Sequence, residues 1–265
     1  MTGAGVEFPN KEARWLLEAA TGRRLAELVT AGELDADAVA RAEALASRRV
    51  AGEPLQYVTG EVGFRHLDLH VGPGVFIPRP ETEVLVDVVL DLLPPNGIAI
   101  DVGTGSGAIA LAIAHERADA RVIATERSPE ALAYARLNRE RTGAGVELVQ
   151  GDLFSSVSQE LRGIVDVVVS NPPYVSLSEK HVVAPDVLAH EPHEALFGGD
   201  VGMEVVQRLS TESPQWLRRG GWLVFEIGPS QLEVVEDVLR ADGFDEVDVT
   251  LDLAGRSRIV RGRLT

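Results

Sequence analysis

The sequence is marked first by what it lacks. It contains no cysteine, which excludes disulfide bonds, thiolate metal sites and cysteine nucleophiles. Its longest apolar stretch, residues 108–114, is too short to span a bilayer, and residues 1–10 carry no secretion signal pattern. Positive charge is scarce, with 25 Lys and Arg against 41 Asp and Glu and a net charge of −16. We therefore expect a cytoplasmic protein that binds neither membranes nor nucleic acid directly and that favours a basic protein partner.

The hydrophobic content, by contrast, is sufficient for a large core. The chain has 265 residues, of which 45% are hydrophobic, so one large or two unequal domains fit. Residues 1–53 show helical spacing, with Asp35 as the N-cap of a helix that Gly52 and Pro54 end. Residues 54–80 change to β-type spacing with glycine and proline turns, which predicts a β-hairpin linker. Residues 81–265 then form the second domain.

That second domain alternates strands with helices. Strands are predicted at residues 98–102, 121–125, 146–149, 165–170 and 221–227. Helices are predicted between them, including one at 203–218, and residues 244–251 and 256–263 are expected to form a closing antiparallel pair. Because such alternation is typical of parallel sheets covered on both faces, we expect an α/β fold with a doubly wound sheet.

The most informative stretch is VDVVVSNPPY, residues 165–174. Its valines predict a buried strand, and the strand must end at the prolines because proline cannot donate to a sheet ladder. Asn171 and Tyr174 therefore follow the carboxyl end of a strand, which is where ligands bind in open α/β sheets. The same pattern is also typical of a plain proline-rich turn after a core strand.

This turn suits alkylation of a planar nitrogen, whose delocalised lone pair makes it a poor nucleophile. The Asn171 side-chain oxygen and the Pro172 carbonyl can each accept one hydrogen of an NH2 group. Both bonds strengthen as the nitrogen becomes positive, so they stabilise the transition state more than the ground state. Tyr174 can stack on the planar group, a role that uses its ring and not its hydroxyl.

A nucleotide-ribose site is predicted after the earlier strands. The sequence GTGSG, residues 103–107, lies between a strand and a helix and offers backbone amides at a helix N-terminus. Glu126 ends the next strand and can accept both ribose hydroxyls, although an acid there also suits a helix start. Asp152 ends the third strand and can meet an adenine amine or simply form a turn. The glycine loop alone fits NAD as well as S-adenosylmethionine.

The combination of these features separates the two cofactors. A glycine loop, two acids and Asn-Pro-Pro-Tyr follow four successive strands and so fall on one edge of the predicted sheet. This arrangement resembles the class I S-adenosylmethionine-dependent methyltransferases that act on planar nitrogens. Further motifs narrow the resemblance: PLQYVTG (54–60), IPRPETE (77–83), DVGTGSGAIA (101–110), NPPY (171–174), EP (191–192), EIG (226–228) and AGR (254–256). Together they are similar to the peptide chain release factor glutamine N5-methyltransferases, the PrmC/HemK family.

The resemblance implies a Rossmann-like fold and methyl transfer from S-adenosylmethionine to N5 of the glutamine in the Gly-Gly-Gln motif of class I release factors. It implies cofactor contacts from Gly103, Thr104, Gly105, Ser106, Gly107, Glu126, Asp152, Leu153 and Asn171. It implies that the glutamine lies against Asn171, Pro172, Pro173 and Tyr174, with Asn171, Pro172 and Tyr174 acting in catalysis. The helical domain, residues 1–53, would dock the release factor.

Three other functions fit parts of the sequence. A nucleic-acid adenine N6-methyltransferase uses the same Asn-Pro-Pro-Tyr chemistry, but it needs a cationic groove that an acidic chain does not favour. A non-catalytic cofactor-binding module does not need an intact motif at residues 171–174, and a dehydrogenase leaves that motif unexplained.

A few features carry weaker expectations. We expect no metal, since the closely spaced histidine pairs lack a third ligand, and we expect a monomer. Phe76 suits either a lid over the cofactor or a core aromatic. The sequence assigns no role to Arg79 or Glu226.

Overall fold

The N-terminal part of the chain is helical. The computed structural model describes residues 8–252 and 255–265, so residues 1–7 of the expected first domain and Ala254 of the AGR motif lie outside it. The helices here are α1 (Pro9–Thr21), α2 (Leu25–Ala31) and α3 (Ala36–Val50). The Ala38 amide donates to Asp35 Oδ1 at 2.7 Å, which confirms Asp35 as the N-cap of α3. Arg49 on α3 pairs with Glu12 on α1 at 2.7 Å and fastens the two helices together.

The linker differs from the expected β-hairpin at its start. It begins with one helical turn, α4 (Leu55–Thr59), before the hairpin of β1 (Glu61–Phe64) and β2 (Leu67–His70). Pro54 starts the turn because its carbonyl accepts from the amides of both Tyr57 and Val58 at 3.0 Å. The turn buries these two side chains, and burial of a short apolar segment outweighs the weak strand spacing of the sequence.

The second domain is built on one twisted sheet. Within the described residues its strands are β3 (Ile98–Val102), β4 (Arg121–Glu126), β5 (Val146–Gln150), β6 (Val165–Ser170), β7 (Leu217–Glu226), β8 (Phe244–Leu251) and β9 (Ser257–Leu264). They lie in the order β5-β4-β3-β6-β7-β9-β8. Neighbouring strands from β5 to β7 are parallel, and β9 runs antiparallel to both β7 and β8. The doubly wound sheet and its closing antiparallel pair are confirmed.

Helices cover both faces of this sheet. α5 (Glu83–Leu92) and α6 (Ala108–Glu116) contribute to one apolar cluster, and α10 (Glu204–Glu212) and α11 (Leu232–Ala241) to the other. The domain also contains α7 (Pro129–Thr142), α8 (Pro185–His190) and α9 (His193–Leu196). β6 contributes to both layers, because Val167 and Val169 join one apolar cluster and Val168 joins the other. Val165 also joins the second cluster, since the register shifts between Val165 and Val167. None of the helices in the described part of the chain has the length and apolarity to cross a membrane.

The helix predicted at residues 203–218 is wrong in its second half. The structure ends α10 at Glu212, adds a 3-10 turn over Ser213–Gln215 and starts β7 at Leu217. Pro214 explains the break, because a proline inside a helix removes a hydrogen bond and clashes with the preceding turn. Leu217 then pairs with Val165, so β7 begins four residues before the predicted strand start at Gly221.

The sheet order fixes where the site must lie. The chain moves outwards from β3 through β4 to β5, and then returns to place β6 on the other side of β3. The segments that leave β3 and β6 therefore diverge to opposite sides and open a crevice at their carboxyl ends. The glycine loop follows β3 and the Asn-Pro-Pro-Tyr turn follows β6, so both border this crevice.

Candidate active site

The glycine loop borders a cavity of about 300 Å³. Gly103, Gly105 and Gly107 have φ values of 73°, 58° and 89°, in the left-handed region that favours glycine. The amides of Gly103 and Thr104 both donate to the Thr125 carbonyl at 2.9 Å, which ties the loop to the end of β4. A Cβ built on Gly103 or Gly105 would meet no atom within 4 Å, so the backbone of the loop is open to a ligand.

Glu126 lies at the end of β4 with its carboxylate held in place. One oxygen accepts from the Gly105 amide and the other from the Ser128 amide, each at 2.8 Å. Each oxygen of a carboxylate can accept more than one hydrogen bond, so Glu126 keeps capacity for hydroxyl donors in the cavity that it lines. The expected ribose acid is therefore already oriented by the loop and by the start of α7.

Asp152 and Leu153 border the same cavity after β5. Leu153 is a buried residue with φ of 47°, a costly conformation for a non-glycine residue. Asp152 is exposed and pairs with Arg208 of α10 at 2.9 Å. The two residues thus offer one carboxylate and one backbone segment to a ligand in this cavity.

Two buried polar side chains support the loop from below. Asp101 precedes the loop, and its Oδ2 accepts from Thr104 Oγ1 at 2.6 Å and from the Ala110 amide at 3.1 Å. Asn138 of α7 is fully buried. It donates to the carbonyls of Ser106 and His70 at 2.9 and 3.0 Å and accepts from the His70 amide at 2.6 Å. Asn138 therefore joins the linker hairpin at His70 to the glycine loop at Ser106.

The Asn-Pro-Pro-Tyr turn stands between this cavity and a second one of about 160 Å³, and Asn171 and Pro172 line both. Asn171 donates from Nδ2 to Thr82 Oγ1 at 3.2 Å. Within residues 8–252 and 255–265, no donor bonds to Asn171 Oδ1 or to the Pro172 carbonyl. The turn therefore has two acceptors without a bonded donor in the described part of the chain, on residues that line both cavities.

Tyr174 corrects part of the expectation for this turn. Its ring lines the smaller cavity, but its hydroxyl is not idle. The hydroxyl donates to Glu226 Oε1 at 3.0 Å and accepts from Arg258 at 3.1 Å. Burial and the neighbouring Glu226 carboxylate raise the pKa of this phenol well above its usual value. The expectation that only the Tyr174 ring has a role is therefore incomplete, because the hydroxyl also bonds the turn to β7 and β9.

Phe76 and Arg79 line the smaller cavity, and Arg79 is held by Glu191. Phe76 is half-buried and lines both cavities, so it is not a core aromatic. The Arg79 guanidinium lies 4.8 Å from the Phe76 ring centroid and pairs with the buried Glu191 carboxylate. Glu191 also accepts from the Ile77 amide at 3.1 Å. The EP and IPRPETE motifs are thus joined by one ionic contact.

Sequence reasoning missed the residues that brace the turn from behind. Gln231 donates to the Tyr174 carbonyl at 2.9 Å, and its side-chain oxygen accepts from the Gly228 amide at 2.8 Å. A Cβ on Gly198 would overlap the Pro173 carbonyl oxygen, and one on Gly202 would overlap the Tyr174 carbonyl oxygen. The glycine-rich run at 198–202 was the available signal, since closely spaced glycines often mark close backbone approach.

The described residues include no group of three or more His, Asp and Glu side chains placed to hold a metal ion.

Comparison with known proteins agrees with this geometry. Residues 1–60 match the PrmC N-terminal domain, and residues 67–200 match the methyltransferase small domain. The release factor glutamine methyltransferase of Geobacter sulfurreducens is 38% identical over 262 residues, which cover 98% of this chain and 91% of that protein. Its namesake from Mycolicibacterium smegmatis is 41% identical over 263 residues, covering 98% and 92%. The crystal structure of a methyltransferase from Pyrococcus furiosus superposes with a TM-score of 0.58 at 22% identity, covering 85% of this chain and 98% of that one.

The sheet order, the glycine loop and the matched domain together place the protein among the class I S-adenosylmethionine-dependent methyltransferases. Identity of about 40% over nearly the whole length narrows this further: the chain belongs to the release factor glutamine methyltransferase family. Membership confirms the predicted enzyme class and its cofactor, S-adenosylmethionine.

Proposed function

We propose that this enzyme transfers a methyl group from S-adenosylmethionine to N5 of the glutamine in the Gly-Gly-Gln motif of a class I release factor. One observation carries the proposal: the unused acceptors of Asn171 and Pro172 belong to residues that line both cavities. A side-chain amide NH2 has two hydrogens, and two such acceptors can hold both. The larger cavity then serves the cofactor and the smaller one the glutamine side chain.

The residues of the larger cavity fit the cofactor. The open backbone of Gly103 and Gly105, the oriented Glu126 carboxylate and the segment at Asp152 and Leu153 would hold the methionine, ribose and adenine parts in turn. When bound, S-adenosylmethionine supplies a methyl group already activated on a sulfonium. The protein therefore does not have to create an electrophile, and its task is to orient the nucleophile.

Asn171 and Pro172 perform that orientation. Their oxygens accept the two amide hydrogens and leave the nitrogen lone pair to face the methyl group. Positive charge develops on the nitrogen as the new bond forms, so both hydrogen bonds strengthen on the way to the transition state. Asn171 acts as an acceptor and not as a base, because a side-chain amide does not titrate in the working pH range.

The charge of the chain supports a protein substrate over nucleic acid. A net charge of −16 repels phosphates, which disfavours the rival adenine N6-methyltransferase function. The curated relatives from Geobacter and Mycolicibacterium are named for release factors, and such a substrate would place the reaction in the cytoplasm.

We assign docking of the release factor to the helical domain, residues 1–53, with 54–80 as the linker and 81–265 as the catalytic domain. Within the described part of this domain Trp15, Val29 and Val39 are exposed apolar side chains. Replacing Val29 by Ser should raise KM for an intact release factor and leave KM for a short Gly-Gly-Gln peptide unchanged. Equal changes for both substrates would contradict a docking role.

The test of the function itself is methyl transfer with labelled cofactor. Purified enzyme, labelled S-adenosylmethionine and a class I release factor are incubated, and the label is mapped by mass spectrometry. We expect one methyl group on the motif glutamine and none when that glutamine is replaced by Ala. Label on added DNA or RNA, or on another residue of the release factor, would refute the proposal.

Asn171→Ala is the matched variant for the mechanism. It removes one of the two acceptors, and we expect kcat to fall by roughly 10²–10³ with little change in cofactor affinity. Asn171→Asp keeps an acceptor oxygen and should retain more activity than Ala. Transfer at the wild-type rate by Asn171→Ala would show that the amide oxygen does not take part.

A further inference from the structure

The Thr82 side chain is bonded outside its own helical segment. Thr82 is the last residue of a 3-10 turn, Pro80–Thr82, that runs directly into α5, and its side chain makes no cap hydrogen bond. Its hydroxyl instead lies 2.8 Å from Glu226 Oε2 and 3.2 Å from Asn171 Nδ2. The Thr82 side chain thus bonds Asn171 of the Asn-Pro-Pro-Tyr turn and Glu226 behind it.

The direction of these hydrogen bonds follows from the groups involved. A carboxylate only accepts, so the single Thr82 hydroxyl proton is donated to Glu226. Thr82 can then only accept from Asn171, and the donor it meets must be the amide NH2. The other Glu226 oxygen accepts from Tyr174 and lies 3.5 Å from an Arg258 nitrogen. Burial raises the pKa of Glu226, and the contacts with Thr82, Arg258 and Tyr174 oppose that rise by stabilising the carboxylate. Both Thr82 and Glu226 are 3% exposed or less.

We propose that Thr82 and Glu226 are positioning residues that fix the amide rotamer of Asn171. They hold its NH2 group on Thr82, away from the substrate, so that its oxygen faces the substrate nitrogen. The inference rests on the proposed function, since it concerns the acceptor used there. The two ends of a carboxamide have nearly the same shape, so packing alone discriminates them poorly. A flipped Asn171 would direct its own NH2 at the substrate NH2, which offers no acceptor and opposes the positive charge that develops there.

The matched pair of variants is Thr82→Val and Thr82→Ser. Valine keeps the shape and removes the hydroxyl, whereas serine keeps the hydroxyl. For Thr82→Val we expect kcat for methyl transfer to fall by about 10-fold to 10²-fold, as for other losses of orientation, with KM and cofactor Kd changed by no more than about twofold. Thr82→Ser should recover most of the loss. A wild-type kcat in Thr82→Val, or an equal loss in both variants, would overturn the proposal.

A double-mutant cycle separates positioning from a general structural effect. If Thr82 acts only through Asn171, adding Thr82→Val to Asn171→Ala should lower the single-turnover rate no further. Multiplying losses would mean that Thr82 supports the fold or the cofactor and not the amide, which would overturn the proposal.

The second measurement does not depend on activity. In the NMR spectrum of the free enzyme, the side-chain NH2 pair of Asn171 is assigned by its absence from Asn171→Ala. We expect this pair to be protected from solvent exchange in the wild type and in Thr82→Ser, and to exchange at least about tenfold faster in Thr82→Val. Equal exchange in all three proteins would overturn the orientation argument, even if release-factor methylation is confirmed. A wild type that orders Asn171 but methylates no release factor would instead refute only the proposed function.

Discussion

Asp101 should make the free enzyme less stable as the pH rises. The residue is fully buried at the end of β3, and within the described residues its Oδ1 has no hydrogen-bond partner. Burial, with a smaller contribution from the Glu126 charge, raises the pKa of this carboxyl from the ordinary 3.8 to about 7. Between these two pKa values Asp101 is protonated in the folded protein and ionised in the unfolded chain. Ionising Asp101 in the folded protein therefore costs free energy of folding.

The size and sign of the effect follow from that difference. At roughly 1.36 kcal/mol per pH unit, a pKa of about 7 against 3.8 corresponds to about 4 kcal/mol of unfolding free energy as an upper bound. This stability is fully present below pH 3.8 and is lost as the pH rises through about 7. Between pH 5 and pH 8 the loss should be about 2.5 kcal/mol.

The variant that removes the effect is Asp101→Asn. An Asn side-chain oxygen can still accept from Thr104 and Ala110, while its NH2 takes the place of the unpartnered carboxylate oxygen. Urea denaturation of the cofactor-free proteins from pH 5 to pH 8 should show the variant gaining stability relative to the wild type as the pH rises. Asp91→Asn, an exposed Asp on α5, serves as the control and should show no such gain. A stability difference that does not change with pH would refute the buried-proton argument.

The remaining predictions concern the site and its supports. Glu126→Ala should weaken cofactor binding by ~1.5–3 kcal/mol in calorimetry, and an unchanged Kd would reduce Glu126 to a helix-start acid. Tyr174→Phe should lower the unfolding free energy by about 1–3 kcal/mol, because Glu226 loses a donor; a variant as stable as the wild type in urea would show that the hydroxyl bond is not needed. Gly202→Ala should destabilise the protein more than Gly143→Ala, since both have positive φ but only the first Cβ meets a carbonyl oxygen; equal urea midpoints would contradict the clash.

The parts of the site that could be predicted are those that follow their own strand. Each of these features lies at or just after the end of a strand that the apolar spacing of the sequence predicts: the glycine loop, Glu126, Asp152 and Asn171. Parallel strands bring their carboxyl ends to one edge, so local patterns were enough to place these residues together. The sequence alone could therefore indicate part of the lining of the larger cavity.

The supports of the Asn-Pro-Pro-Tyr turn could not be predicted in this way. Thr82, Glu226 and Arg258 belong to separate segments, and they meet only because β7 and β9 pair and α5 packs nearby. Thr82 and Glu226 lie in two motifs of the family resemblance, but no local pattern shows that these side chains meet. The hydroxyl contacts of Tyr174 were missed for the same reason, since a side-chain partner 52 residues away leaves no local signal.

The α10–β7 boundary shows a different limit. Residues 203–218 contain enough helical spacing to suggest one long helix, and the strand pairing of Leu217 with Val165 decides against it. Pro214 was the available local warning, but a proline near a helix end is common and does not by itself fix the boundary.

The buried amide of Asn138 limits how freely the parts of this enzyme can be exchanged. One side chain holds both the hairpin at His70 and the glycine loop at Ser106. A chimaera that took its linker from another relative would need the same backbone path at this point, or it would leave the Asn138 amide unsatisfied beside the glycine loop. The hairpin and the glycine loop should therefore be exchanged together, and a chimaera junction belongs before the hairpin and not after it.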